Sequence, residues 1–308
     1  MADLWSRFRQ SRWFRLTWIV PVALAALAVI VVFANVFRSS PAGASFLIDY
    51  PGESGLPAGS PVGFPAWLQW QHFLNAFFLL FIVRTGWQVR TTKRPRAYWT
   101  RNNSGLVKTK NPPVRISLPL WLHLSMDSLW VVNGIVFFAL IFATGQWVRI
   151  VPTNWNIFPN AISAGIQYAS LNWPTEDGWV NYNALQTLSY FFIVFIAAPL
   201  ALLTGIRMAP GLAARFHSIE KAYPITAARA VHFPVMIAFV VFVIVHVTLV
   251  LATGALRNLN HMYAGRDDQS WWGFGIFAAS IVVMALAWVA ARPSILTSVA
   301  GRTGSVRR

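Results

Sequence analysis

Residues Ala230–Gly254 have the sequence AVHFPVMIAFVVFVIVHVTLVLATG, an apolar stretch long enough to cross a membrane as a helix. His232 and His246 lie in this stretch, fourteen residues apart. At about 100° and 1.5 Å per residue, both imidazoles come within roughly 40° of one face and lie about 21 Å apart. Ionisable side chains inside a membrane are costly and usually functional. The stretch therefore predicts a helix with one functional histidine near each membrane surface.

The composition is typical of an integral membrane protein. Of the 308 residues, 56% are hydrophobic and 11% are charged, and the chain has 16 Trp and 23 Phe. The formal net charge is +16, but the basic residues lie in short loops between apolar runs, so no nucleic-acid partner is predicted. Cysteine is absent from the sequence, which excludes disulfides, covalently attached c-type haem and cysteine-ligated iron–sulfur clusters.

Six apolar runs are long enough to span a bilayer and predict an all-α integral membrane protein. These runs are Leu16–Phe37, Ala66–Val83, Leu118–Val148, Leu185–Ile206, Ala230–Gly254 and Phe274–Ala291. We expect spans two to five to form a four-helix module over residues 66–258. Residues 1–65 would supply one flanking helix with an outer loop, and residues 259–308 a second with a basic tail. The first apolar core is too long for a typical signal peptide, so we expect a membrane helix there, with cleavage near Ala42–Ala44 as the alternative.

The basic residues predict the orientation of the spans. One side of the predicted membrane holds 21 of the 25 Lys and Arg residues, including Arg7 and Arg9, and the other side holds six of the nine acidic residues. The positive-inside rule then makes this a multi-pass protein with both termini in the cytoplasm. We expect residues 39–65 to form an outer loop and residues 160–171 a short helix at the interface. That helix would either dock a partner or only cap the bundle.

Chain direction pairs the four histidines that lie in spans. His72 is near the outer end of span two and His123 near the cytoplasmic end of span three, while span five carries His232 inside and His246 outside. We call His72 and His246 the outer pair, and His123 and His232 the inner pair. His217 and His261 are predicted to lie in a cytoplasmic and an outer loop, respectively.

A repeated dipeptide tests the depths of these pairs. Thr-Gly follows the apolar part of spans two to five, at residues 85–86, 144–145, 204–205 and 253–254. Glycine is common just past a helix end, so each dipeptide is predicted to mark one. His123 and His232 each lie 22 residues before such a glycine, on spans that run in the same direction. The inner pair is therefore predicted to lie at one depth.

Two depth-matched pairs on three helices favour axial ligation of two haems. Metal binding without haem would require carboxylates or thiols nearby, and only Asp127 is close to a pair.

We expect Gly134 either to leave room for the outer macrocycle or to serve helix–helix contact. Asp127, together with Asn133, is a candidate for relaying a proton to quinone, or Asp127 is a hydrogen-bond acceptor for a histidine. Gln186 and Tyr190 mark a second candidate quinone site, on the outer side.

Four segments of the chain together resemble one known family. They are QHFLNAFFLLFIVRTGW (71–87), WLHLSMDSLWVVNGIVFFALIFATGQW (121–147), YNALQTLSYFFIVFIAAPLALLTG (182–205) and RAVHFPVMIAFVVFVIVHVTLVLATG (229–254). They resemble bacterial di-haem cytochrome b subunits of the cytochrome b561 and nickel–iron hydrogenase type, which also anchor formate dehydrogenases and thiosulfate reductases. The resemblance implies two non-covalent b-type haems in the bacterial plasma membrane, with iron ligands at His72, His123, His232 and His246.

The resemblance also implies partners. These are quinone as an exchangeable substrate and an extracytoplasmic oxidoreductase subunit, which in the thiosulfate-reductase type contains molybdopterin. In formate dehydrogenase subunits the module begins in the cytoplasm, whereas here an extra first span inverts it. The haem that faces the partner is therefore not implied.

We expect this chain to relay electrons between that partner and the quinone pool, without acting on a soluble substrate by itself. One alternative is a stand-alone quinone or ferric reductase cytochrome b. Another is a haem-free transporter whose histidines line a polar path. Such paths usually need several intramembrane charges, and Asp127 is the one carboxylate well inside a predicted span.

Overall fold

The computed structural model of the protein describes residues 12–104, 108–110, 112–173, 177–210, 220 and 222–307. Arg7, Arg9 and His217, which were assigned to the cytoplasmic side, lie outside these residues. The chain forms two compact units. Of the described residues, the first unit contains those within 1–59, 148–177 and 181–189, and the second contains those within 60–147, 178–180 and 190–308.

The elements of the described residues are helices, three short strands and a few tighter or wider helical turns. In chain order they are α1 (Arg12–Ser39), α2 (Pro41–Asp49), α3 (Ala66–Thr91), β1 (Tyr98–Arg101), β2 (Ile116–Ser117), α4 (Leu118–Ala143), a 3₁₀ turn (Gln146–Arg149), α5 (Ile157–Ala169), α6 (Ala184–Phe191), a π-helix (Phe192–Ala197), α7 (Ala198–Met208), α8 (Ile225–Ala252), α9 (Ala255–Leu259), a second π-helix (Asn260–Ala264), α10 (Trp272–Ala290), α11 (Pro293–Gly301) and β3 (Gly304–Arg307).

The described chain contains six helical segments that are long and apolar enough to cross a membrane, as predicted. They are α1, α3, α4, the continuous segment from α6 to α7, α8 and α10. Their starts follow from local chemistry. Ser117, for example, caps α4 by accepting a hydrogen bond from the amide of Leu120 at 3.3 Å, and Pro119 lies in the first turn.

The predicted helix ends are correct for only two of the four Thr-Gly dipeptides. Gly145 and Gly254 follow the ends of α4 and α8 with φ values of 72° and 134°, a conformation that favours glycine. At residues 85–86 and 204–205 the prediction is wrong, because α3 continues to Thr91 and α7 to Met208. Gly86 and Gly205 do not have a positive φ, so the helix continues through both dipeptides.

The fourth span changes its helical geometry at Phe192–Ala197, where it forms a π-helix. Pro199 has no amide hydrogen, so the carbonyl of Phe195 lacks the donor that an α-helix would supply. A π-helical turn next to the proline accommodates this loss. A π-helical turn contains more residues than an α-helical turn, so a projection of the span as one regular α-helix fails beyond it.

A small three-stranded antiparallel sheet was not predicted from the sequence. β1 lies in the middle and pairs with β2 on one side and β3 on the other. Trp99 of β1 donates a hydrogen bond from its indole Nε1 to the carbonyl of Ala300 at 3.0 Å. The sheet thus joins the basic loop between spans two and three to the C-terminal tail, in a fold that remains almost entirely helical.

Arg84 ties the last span to α3 within the second unit. Its guanidinium donates hydrogen bonds to the carbonyls of Trp288 and Ala291 at 2.7 and 3.1 Å. It also lies 4.1 Å from the centre of the Trp288 ring, in a cation–π contact. The terminal carbonyls of α10 would otherwise lack donors, so Arg84 caps this helix.

The segment of residues 39–65, which was predicted to be a loop, contains α2, a helix of the first unit. Ser40 caps this helix by accepting a hydrogen bond from the amide of Gly43 at 3.1 Å, and Pro41 occupies the first helical position. The predicted short helix at residues 160–171 is present as α5, which begins three residues earlier. Asn160 of α5 accepts a hydrogen bond from the amide of Gly52 at 3.0 Å and holds the loop that follows α2.

Candidate functional site

The structure brings the inner pair together within the second unit. The ring centroids of His123 on α4 and His232 on α8 are 6.4 Å apart, with an interplanar angle of 78°. The Nδ1 atom of His123 lies 3.0 Å from the hydroxyl of Thr85, and that of His232 lies 2.8 Å from the hydroxyl of Thr204. The sequence identified both threonines as landmarks of depth, but it did not predict these contacts.

Glycines lie beside the same two rings. A Cβ atom added at Gly86 would be 3.2 Å from Cε1 of His123, and one at Gly205 would be 3.7 Å from Cε1 of His232. The first distance is closer than ordinary van der Waals contact, and the second is within it. The Thr-Gly dipeptides of α3 and α7 therefore both lie against the inner histidine rings, the threonine with its hydroxyl and the glycine with its backbone.

The outer pair also comes together, in an aromatic setting. The ring centroids of His72 on α3 and His246 on α8 are 6.2 Å apart, with an interplanar angle of 55°. Tyr263 meets His72 edge-on at 5.7 Å. Phe242 stacks on His246 at 5.5 Å, and Tyr190 meets it edge-on at 6.0 Å. Aromatic contacts thus orient the outer rings, whereas hydroxyl groups hold the inner ones.

The spacing within each pair fits a shared metal. Two imidazoles on opposite sides of one metal, with metal–nitrogen bonds of about 2 Å, have ring centroids about 6 Å apart. Both pairs have this spacing. No group of three or more His, Asp or Glu in the described part of the chain could hold a metal ion. Two imidazoles per pair are too few ligands to hold a bare ion, so the donor set would fit a metal whose other ligands come from a macrocycle, as in haem.

Buried polar atoms gather near the outer pair without a hydrogen-bond partner among the described residues. They are Nε1 of Trp67, Oε1 of Gln71, Nδ1 of His72 and Nδ2 of Asn133. The helices α3 and α4 that carry them are in register here, since Trp67 meets Phe137 at 6.4 Å. Buried polar groups normally have partners, so this region has the chemistry to receive polar groups of a cofactor.

Gly134 lies next to this group of atoms on α4. A Cβ atom added there would meet no atom within 4 Å. Of the two roles considered for Gly134, free space beside α4 agrees with this observation, and close helix–helix contact does not. Its contact with a macrocycle stays a prediction.

Asp127 and Asn133 are not brought together as the sequence interpretation suggested. Asp127 Oδ2 lies 3.5 Å from Nε2 of His123, on the same face of α4. Asn133 is six residues further along, on a face about 120° away and about 9 Å further along the helix axis. It belongs with the unpartnered atoms near the outer pair. A single relay through both residues stays a prediction, and Asp127 is the one of the two that lies at the inner pair.

The sequence interpretation missed a hydrogen-bond network around the buried His261. The Nε2 atom of His261 donates a hydrogen bond to Oδ1 of Asp267 at 2.8 Å, and Nε of Arg257 donates to the same oxygen at 2.7 Å. His261 is 3% exposed and lies between the rings of Phe64 and Trp179, at 5.8 and 5.2 Å. The only signal in the sequence is the local cluster of Arg, His and Asp, which is common in exposed loops.

Asp267 is expected to make the stability of this network depend on pH. The guanidinium of Arg257 and the imidazole of His261 lower the pKa of Asp267 from 3.8 to about 2. A lowered pKa in the folded state stabilises the protein above pH 3.8, and this contribution disappears as the pH falls through about 2. Asp267→Asn should therefore lower the unfolding temperature above pH 4 and have no further effect below pH 2. A difference that is constant across this range in detergent would contradict the prediction.

Sequence comparisons agree with this geometry. A model of the family described as prokaryotic cytochrome b561 matches residues 63–265. A relative from Azospira oryzae, the putative protein-methionine-sulfoxide reductase subunit YedZ1, is 27% identical over 202 residues, which are 60% of this chain and 88% of the relative. No solved structure matches the chain significantly.

Membrane-spanning helices that carry paired histidines define a class of proteins, the haem-binding membrane cytochromes. Because the family match extends over more than half of its residues, the chain belongs to the prokaryotic cytochrome b561 family. It is a bacterial multi-pass membrane protein that carries b-type haem and transfers electrons.

Proposed function

We propose that this chain is the membrane subunit of a respiratory oxidoreductase and relays electrons through two b-type haems. The observation that carries the proposal is the presence of two histidine pairs, with centroid separations of 6.2 and 6.4 Å. Haem supplies one-electron oxidation and reduction. His72 with His246 and His123 with His232 would hold the two haems, and haem with two histidine ligands would favour outer-sphere electron transfer over chemistry with oxygen.

The helix α8 links the two pairs, because it carries one histidine of each. It carries His232 of the inner pair and His246 of the outer pair, about 21 Å apart along its axis. His123 on α4 and His72 on α3 complete the two pairs. This arrangement supports transfer between an outer partner, the outer pair, the inner pair and a quinone.

We also propose that both termini are cytoplasmic. The pairing of β1 with β3 supports this topology, because it requires the loop after α3 and the C-terminal tail to lie on one side of the membrane. Both segments are rich in Lys and Arg, and basic segments of this length are retained in the cytoplasm.

The proposed partner is an oxidoreductase on the outer side. The relative from Azospira oryzae is named as a putative subunit of a protein-methionine-sulfoxide reductase. We extend that type of assembly to this chain, and we propose that the partner contains molybdopterin, as the thiosulfate-reductase resemblance implies. Quinone is the proposed exchangeable substrate, near the inner pair, where Asp127 offers a polar group inside a span.

The haem content of the purified chain tests the proposal. The reduced-minus-oxidised spectrum should be that of b-type haem, and the pyridine haemochrome should give about two haems per chain. A single haem would contradict the two-pair assignment, and a colourless protein would favour the transporter alternative. Co-purification of an oxidoreductase from the native membrane separates a subunit from a stand-alone reductase, which would reduce its acceptor alone.

A further inference from the structure

We propose that Thr85 and Thr204 are twin positioning residues, each of which fixes one inner histidine in the tautomer that presents Nε2 to iron. The inference rests on the proposed function, in which His123 and His232 are axial ligands. Its basis is the pair of hydroxyl contacts to Nδ1, at 3.0 Å for His123 and 2.8 Å for His232.

The hydroxyl groups can only accept from these histidines. Each threonine has one hydroxyl proton, and each donates it to a backbone carbonyl of its own helix. Thr85 donates to Phe81 at 2.6 Å, and Thr204 donates to Leu200 at 2.6 Å. The remaining lone pairs can accept a proton from Nδ1, so the hydrogen-bond network assigns that proton to Nδ1. Nε2 is then unprotonated, which is the form that binds a metal.

The two contacts are equivalent on successive helix pairs. Thr85 on α3 holds a histidine of α4, and Thr204 on α7 holds a histidine of α8. Both threonines are buried, at 0% and 1% exposure, and are followed by a glycine beside the ring. Because two independent helix pairs form the same contact, chance packing is a poor explanation.

The other two Thr-Gly dipeptides supply a comparison within the chain. Thr144 donates its hydroxyl proton to Leu140 at 2.7 Å, and Thr253 donates to Leu249 at 2.9 Å. Both follow the ends of their helices, and Thr144 is exposed. The same dipeptide thus ends a helix in α4 and α8 and positions a histidine in α3 and α7.

The hydrogen bond should also affect the properties of the bound cofactor. An acceptor on the second ring nitrogen raises the basicity of a metal-binding imidazole, and loss of such an acceptor typically weakens metal binding by about 10- to 100-fold. His72 of the outer pair has no acceptor for Nδ1 among the described residues. The threonines therefore distinguish the inner site from the outer one.

The test compares Thr85→Val and Thr204→Val with Thr144→Val in the full-length purified protein. Valine keeps the branched shape and removes the hydroxyl. We expect both inner variants to raise the midpoint potential of the inner haem, or to lose that haem about 10- to 100-fold faster to a scavenging apoprotein. Thr85→Ser and Thr204→Ser, which keep the hydroxyl, should restore the native potential and retention. Thr144→Val should match the unmodified protein.

The inner haem is identified as the one that is lost in His232→Leu. If Thr85→Val and Thr204→Val titrate and retain haem like Thr144→Val, the positioning role is wrong. The role would also be wrong if the serine variants lost haem as fast as the valine variants. Haem retention would then depend on side-chain packing and not on the hydrogen bond. An unmodified protein with fewer than two haems would instead contradict the proposed function.

Discussion

Replacing His232 or His246 with leucine is expected to remove one haem from the purified protein, a different one in each case. Leucine fits an apolar helix and has no atom that binds iron, so α8 should still form. His232→Leu should leave only the outer haem, and His246→Leu should leave only the inner one. Pyridine haemochrome content and potentiometric titration measure the loss, and the two variants should lose components of different midpoint potential.

His261→Gln is the matched control for this pair of substitutions. His261 is also a buried histidine, but it lies in the network with Asp267, and glutamine can still donate a hydrogen bond to the carboxylate. This variant should keep both haems. The two-pair assignment would be wrong if either leucine variant retained both haems, or if the two variants lost the same component.

Gly273→Ala is expected to destabilise the outer part of the second unit by about 1–3 kcal/mol, as overpacking against a fixed backbone typically does. Gly273 lies in the first turn of α10, and its amide donates a hydrogen bond to Oδ1 of Asn260 at 2.6 Å. An added Cβ atom would overlap backbone atoms of Leu259 and Asn260. These residues cannot move away as the end of a flexible side chain could, so the segment must shift.

The shift should extend to the outer pair. Asn260 begins the π-helix that carries Tyr263, and the ring of Tyr263 packs against His72 at 5.7 Å. We therefore expect Gly273→Ala to lower the unfolding temperature in detergent and to loosen the outer haem more than the inner one. Gly275→Ala is the control, because an added Cβ atom there meets nothing within 4 Å on the same helix. Equal unfolding temperatures for the two variants would contradict the prediction.

These two experiments probe different parts of the same unit. The histidine substitutions remove proposed haem ligands, whereas Gly273→Ala changes the packing of the backbone without replacing a proposed ligand. Loss of the outer haem in Gly273→Ala with an unchanged inner haem would link the loop between α8 and α10 to the outer pair. That loop also contains the network of Arg257, His261 and Asp267.

Much of the architecture could be predicted because it is encoded locally. The length of the apolar runs specified the six spans. The period of the α-helix placed His232 and His246 on one face of α8. The pairing of His72 with His246 and of His123 with His232 followed from depth alone, and the structure brings these rings together. Their role as haem ligands stays a proposal.

Other features could not be predicted, because they depend on residues far apart in the chain. The sheet joins residues 98–101 to residues 304–307, and no local pattern specifies that pairing. Asp127 and Asn133 are close in the sequence and were assigned to one candidate site, although six residues turn the helix to another face. Their shared role stays a prediction. The network around His261 needed the aromatic rings of Phe64 and Trp179, which come from distant segments.

The sequence by itself determined that this chain is a six-span membrane protein with four histidines at two depths, since hydrophobic length and helical repeat are properties of consecutive residues. Only the tertiary structure decided what the Thr-Gly dipeptides do. Thr85 lies 38 residues from His123, and Thr204 lies 28 from His232. Whether a hydroxyl reaches an imidazole depends on the rotation of one helix against the next, which the π-helix before Pro199 alters in the fourth span. Helix packing fixes that rotation, and local sequence does not.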